Sequence, residues 1–125
     1  MKRMNGAVFF LLFFAVSLFA ESEGERLFKS NNPAAAIPLL ERELSSGTLS
    51  SAAYNYLGLS YYQTGQYDKS VAVFEKGLSV PGTDKKVLAY NAGNSAFAAG
   101  NYAKADECYS LALAASPDFV KALLN

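Results

Sequence analysis

Cys108 is the one cysteine among 125 residues, in the run Asp106-Glu107-Cys108-Tyr109, and the chain has no histidine. A thiol acts as a nucleophile or a metal ligand in its thiolate form. Without histidine, neither a Cys–His catalytic pair nor a typical zinc site can be assembled here. Cys108 therefore reads as a small buried hydrophobe. The other side chains offer no more: no carboxylate pair is set in an apolar run, no hydroxyl has a plausible base, and no glycine-rich phosphate loop appears. The sequence reads as non-enzymatic and without a cofactor, so its use must lie in what it holds.

The first 20 residues read as an address. Lys2 and Arg3 precede an apolar run from Ala7 to Phe19 broken only by Ser17, and Ala20 leads into the polar Glu21-Ser22-Glu23. This is the layout of a secretory signal peptide, and it places the mature chain in an exported compartment, periplasmic or secreted. The run is shorter than the roughly 20 apolar residues that span a bilayer. Leu18, three residues before the expected cleavage point, is larger than the usual residue there, so membrane anchoring by residues 4–20 stands as the alternative. No cysteine follows the run to accept a lipid.

Residues 21–125 carry 9 basic and 11 acidic side chains, a formal charge of 9 minus 11, or −2. No basic patch points to nucleic acid. The signs alternate (Glu41, Arg42, Glu43; Asp68, Lys69, Glu75, Lys76), as on a solvated helix face. A lone cysteine excludes an internal disulfide, so stability must come from packing.

Those charges belong to helices. Ala53, Tyr54, Leu57, Gly58 and Tyr61 follow the i, i+3, i+4 spacing of one face over Ser50 to Gln63, and Gly65 stops that helix. Tyr67 to Ser79 repeats the pattern with Val71, Phe74 and Leu78, and Pro81-Gly82 ends it. The three-residue turn Thr64-Gly65-Gln66 forces the two helices antiparallel. A second pair follows over Lys86–Ala98 and Tyr102–Ala115, turning at Gly100-Asn101 and closed by Ser116-Pro117, with Ala92, Ala96, Ala105 and Ala112 on its contact face. Upstream, Asn32 is the expected N-cap of a helix over Pro33–Leu44 that presents Ile37, Leu40 and Leu44; Pro38 inside it predicts a kink or a shifted start. Glu21–Ser30 makes a short helix with Leu27 and Phe28, and Asp118–Asn125 starts another.

The two central pairs are copies. Gly58, Gly65, Tyr67, Phe74 and Leu78 correspond to Gly93, Gly100, Tyr102, Tyr109 and Leu113, each 35 residues on. A fixed period of this size marks stacked units that bury their apolar faces only against their neighbours. In each copy a Gly or Ala on one helix stands against a Tyr or Phe on the other. Tyr54-x2-Leu57-Gly58-x2-Tyr61, Ser70-x3-Phe74 and Pro81, then Ala89-x2-Ala92-Gly93-x2-Ala96, Ala105-x3-Tyr109 and Pro117, resemble the tetratricopeptide repeat signature. Ser70 and Gly77 replace the alanines that the family prefers, and the loop Pro81–Lys85 lengthens the usual period by one residue. Asn32 to Leu44 is similar to the second helix of such a repeat, and Gly24 falls 34 residues before Gly58. Val120 to Asn125 resembles the opening of a further one.

The resemblance implies an all-α, right-handed α-solenoid of antiparallel helix pairs: a degenerate pair over 21–49, repeats over 50–84 and 85–119, and the start of a further repeat or a capping helix over 120–125. It also implies a concave groove lined by the first helix of each repeat. By position, that groove presents Asn55, Leu59, Tyr62 and Gln63, then Tyr90, Asn94 and Phe97, with Lys121 reaching in from the last helix. The amides of Asn55 and Asn94 can bracket a peptide backbone, and the aromatic rings offer contact area or, alternatively, serve packing between repeats. A subgroup of the family clamps a terminal carboxylate with Lys and Asn. This chain keeps Asn91 and Lys121 but has Asn55, Leu59 and Asn125 at the remaining clamp positions, which implies no tight selectivity for an acidic tail.

The resulting expectation is a non-enzymatic adaptor that holds a partner protein's peptide or helix, touching membrane only through an uncleaved N-terminus. The alternative is a structural module that stacks on further repeats or on its own copy through Leu123 and Leu124. Intact-mass measurement of the exported protein should show a chain beginning at Glu21; retention of residues 1–20 would instead assign them to an anchor.

Overall fold

The computed structural model describes residues 21–124; the expected export segment and Asn125 lie outside them. Seven helices follow one another among the described residues: α1 (Glu23–Lys29), α2 (Pro33–Ser45), α3 (Ser51–Gln63), α4 (Tyr67–Ser79), α5 (Lys85–Ala98), α6 (Tyr102–Ala115) and α7 (Pro117–Leu124). Each packs on the next in the chain, while α1 meets α3 and α3 meets α5. The odd-numbered helices α1, α3 and α5 thus form an inner row backed by α2, α4 and α6. This is the all-helical solenoid expected, and no helix among the described residues is long and apolar enough to cross a membrane.

Local chemistry explains the boundaries. Ser22, Asn32, Ser50 and Asn101 each accept a backbone N–H from the first turn of the helix that follows, satisfying a donor with no partner inside the helix. Three hairpins close in the same way. Gly65 N donates to Tyr62 O and Gln66 N to Tyr61 O; Gly100 and Asn101 repeat this on Phe97 and Ala96, and Asn31 and Asn32 on Phe28 and Leu27. The geometry requires a left-handed residue at each turn: Gly65 at φ 75°, Gly100 at φ 80° and, in the first pair, Asn31 at φ 64°. Asparagine tolerates that region better than other side chains.

Two expectations are corrected. Of the two effects expected of Pro38, the shifted start is not seen, since α2 runs from Pro33 to Ser45. Pro38 lies on the exposed face of the helix, where the carbonyl that loses its helical donor is open to solvent rather than sealed in the core. Pro117 does more than close α6. It is the first residue of α7, where its fixed φ suits a helix and its missing N–H costs nothing.

The pairs lock through contacts of one kind. A Cβ added at Gly58 would lie 2.3 Å from the Phe74 ring, at Gly93 2.6 Å from Tyr109, and at Gly24 2.7 Å from Leu40. Glycine inside a helix costs about 1 kcal/mol relative to alanine, but a methyl at these points would strike the facing side chain. Within the same pair, Gly77 of α4 admits Tyr54 of α3, whose Cβ lies 2.9 Å from where a Gly77 Cβ would stand, and Leu88 of α5 comes within 3.1 Å of the same point. One period on, both positions are fully buried alanine or nearly so, as Ala89 and Ala112 replace the Tyr–Gly combination. Gly77 and Ser70, the two departures from the repeat signature, therefore have reasons. The buried Ser70 hydroxyl donates to Gly58 O at 2.7 Å and lies 2.7 Å from Ser95 Oγ, tying α4 to α3 and α5.

Ser60 occupies the position of Ser95 one unit earlier, yet its buried hydroxyl has no partner. The residue matching Ser70 there, 34 positions back, is Ala36. Phe74→Ala should lower the urea midpoint by an amount equivalent to about 3–5 kcal/mol, the usual cost of emptying a large aromatic site. Ser95→Ala should cost about 1 kcal/mol, while Ser60→Ala should be neutral or stabilising because it deletes an unpaired polar group. Equal losses for the two serines in urea unfolding would contradict the pairing scheme.

Candidate functional site

The residues assigned to the groove divide into two sets. Tyr90, Asn94 and Phe97, on one side of α5, line an open groove of about 520 Å³ whose other wall is α6, with Asp106, Tyr109, Ser110 and Leu113. Phe97 is 60 % exposed and Leu113 47 %. Asn55 instead lines a smaller hollow of about 240 Å³, shared by α1, α3 and α5 and rimmed by Glu25 and Asp84. Leu59 is half-buried against the core, Tyr62 and Gln63 are exposed on α3, and Lys121 is exposed on α7. None of these last four lines the larger groove.

Hydrogen bonding narrows what the amides can offer. Tyr109 donates its phenol to Asn94 Oδ1 at 2.6 Å, and burial raises that phenol above its ordinary pKa, keeping it a donor at neutral pH. Asn55 Oδ1 accepts from Asn91 Nδ2 at 2.7 Å, joining α3 to α5. Each of these oxygens is thus already engaged inside the fold, so Asn55 and Asn94 present chiefly their amide N–H groups. Asn91, one of the two clamp matches, is occupied in the same bond.

The aromatic residues both pack and remain exposed. Tyr90 lies between Tyr109, at 5.9 Å between ring centres, and Phe119 of α7, edge-on at 6.2 Å. Tyr62 meets Tyr67 edge-on at 5.3 Å, and one period later Phe97 meets Tyr102 at 5.2 Å. At the other end of the inner row, Phe28 leans on Tyr56 at 5.2 Å beneath the Lys29 ammonium. Residue-by-residue reasoning missed the α6 wall and this Phe28–Tyr56 contact because it assigned the groove to first helices and followed the two central copies. The 35-residue correspondence of Phe74 with Tyr109 and of Leu78 with Leu113 was the available signal.

Tetratricopeptide repeat profiles match residues 22–82 and residues 87–119. The chain belongs to the tetratricopeptide repeat family. The first match includes α1 and α2, so the pair built on Gly24 and Leu40 falls within the family's pattern. No curated protein matches the chain. Tetratricopeptide repeat domains generally bind protein partners and typically serve as non-catalytic scaffolds, which agrees with a groove built from aromatic and aliphatic side chains.

The buried thiol of Cys108 is pushed above its usual pKa, by desolvation first and by Glu75 second, so it stays protonated at neutral pH. With Asn91 engaged and Asp106 on the groove wall, a peptide ending in an acidic tail should show no saturable binding in the low micromolar range. Isothermal titration with such a peptide is the check, and saturation there would restore the carboxylate clamp.

Proposed function

We propose that this tetratricopeptide repeat protein is a non-enzymatic adaptor, working in the periplasm or another exported compartment, that holds a partner protein's peptide or helix against its inner face. The observation that carries the reading is the groove of about 520 Å³ between α5 and α6, with Phe97 and Leu113 exposed at its edges. A large apolar ring left in water at a concave site marks an interaction surface. The signal-peptide pattern of residues 1–20 supports the compartment. Tyr62, Gln63 and Lys121 extend the contact surface outward, and Asn55 offers an amide N–H in the neighbouring hollow.

A second reading, a structural module that stacks through its C-terminal edge, is favoured by Leu111 at 49 % and Leu123 at 45 % exposure. Under that reading light scattering shows a concentration-dependent dimer.

The adaptor reading is tested by placing a photoreactive benzoylphenylalanine at position 97 and illuminating cells that make the protein. A discrete adduct with another protein is expected from position 97 and none from the exposed α4 position Ala72. Equal labelling from both positions, or an adduct only with its own copy, would contradict it.

A further inference from the structure

Three ammonium groups lie over aromatic rings among the described residues, and each has a carboxylate close by. Lys29 stands 5.5 Å from the centre of the Tyr56 ring and 3.0 Å from Glu25. Lys86 stands 5.9 Å from the Phe119 ring and 3.7 Å from Asp84, and Lys69 stands 5.7 Å from the Tyr61 ring, whose hydroxyl donates to Glu41. The negative face of a ring attracts a cation, and a carboxylate beside it adds its own charge.

The groove between α5 and α6 offers the same two kinds of group. Tyr90, Phe97 and Tyr109 supply three rings and Asp106 the one charged side chain, and no lysine or arginine is among its described lining residues. Asp106 stands four residues after Tyr102 on α6, hence on the same side of it, and the Tyr102 ring meets Phe97 at 5.2 Å. The carboxylate is thus set at the Phe97 end of the groove. Asp106 is exposed, and no ion pair joins it to another described residue. Lys104, two residues away, is held by Glu75 at 2.8 Å and Glu107 at 3.2 Å.

We infer that this groove receives an arginine side chain of a partner protein, with Asp106 as its counter-charge and the aromatic rings as its contact surface. The inference rests on the adaptor reading and names the group by which the partner is recognised. Two features favour arginine over lysine or a small ammonium ion. A planar guanidinium pairs with a carboxylate through two parallel hydrogen bonds and also stacks on an aromatic face. Asn94, whose oxygen is taken by the Tyr109 hydroxyl, is left with N–H donors, and these call for a carbonyl oxygen, which a peptide segment brings and a small cation does not. Leu113, 47 % exposed on the same groove, meets the apolar neighbours of that arginine.

The probe is the blocked peptide acetyl-Ala-Leu-Arg-Leu-Ala-amide, compared with a twin in which neutral citrulline replaces arginine. Each is titrated into the isotope-labelled full chain and followed by amide shifts. The arginine peptide should shift Asn94, Phe97, Asp106 and Tyr109, and the citrulline peptide should need at least about tenfold more, as expected of one charge-assisted contact. Asp106→Asn, an isosteric change at an exposed position, should weaken the arginine peptide to the citrulline level, and added salt should weaken the arginine peptide alone. Four results overturn the inference: no shifts from the arginine peptide at about 5 mM, where millimolar affinity would register; equal binding of the two peptides, a comparison that needs no variant of the protein; shifts centred on Glu25 and Asp84; or tetramethylammonium binding as tightly as the arginine peptide, which assigns the rings to a small cation. If position 97 crosslinks a partner as well in Asp106→Asn protein as in the native one, the adaptor reading survives and arginine as the recognised group falls. Absence of an adduct from both removes the adaptor reading itself.

Discussion

The close approach of a glycine to a large side chain sixteen residues later is the constraint on which this fold depends. Gly24 with Leu40, Gly58 with Phe74 and Gly93 with Tyr109 each bring two helices so near that a single methyl would collide with the facing side chain. Each pair thereby acquires the same internal geometry, and identical turns with a left-handed residue hold it. Because the pairs are alike, the surface one presents to its successor is alike as well. A stack of equivalent units follows, with each interface built from residues one period apart.

That regularity also lets equivalent surfaces be compared among the described residues. α5 buries Tyr54 and Phe74 of the α3–α4 pair, and Phe119 of α7 packs on Tyr90 of the α5–α6 pair. Phe97 is 60 % exposed and Leu113 47 %, and Tyr62, the counterpart of Phe97 one period earlier, is 36 % exposed. Interaction and stacking are then two readings of one physical feature, an open apolar groove between α5 and α6. The adaptor reading gives this groove to a partner, and the engaged oxygens of Asn55 and Asn94 mean that recognition there relies on shape and apolar contact more than on bracketing a peptide backbone.

Much of this was legible in the residues. The 35-residue echo, the helix faces, the turn glycines and the buried, inert character of Cys108 follow from spacing and residue type, because burial in a repeat is set by neighbours at fixed offsets. The register of Gly24 could be read the same way. Three things could not. That Asn31 substitutes for a turn glycine depends on backbone dihedrals, which spacing does not report. The unbroken passage of α2 through Pro38 depends on which face meets solvent. The groove residues separated because a side chain's partner decides its availability: Asn94 and Tyr109 sit fifteen residues apart, and their bond is visible only when α5 and α6 are set side by side.

A double-mutant cycle at the central contact, combining Gly58→Ala with Phe74→Leu and measuring unfolding free energy in urea, reads the coupling of glycine and ring most directly. Gly58→Ala alone should destabilise by about 1–3 kcal/mol through overpacking. If the close approach governs the pair, the smaller leucine makes room for the methyl, and the double variant should be more stable than the sum of the single changes by at least about 1 kcal/mol. Strict additivity of the two changes would show that glycine and ring are not coupled, and would contradict the constraint from which the rest of the structure has been derived.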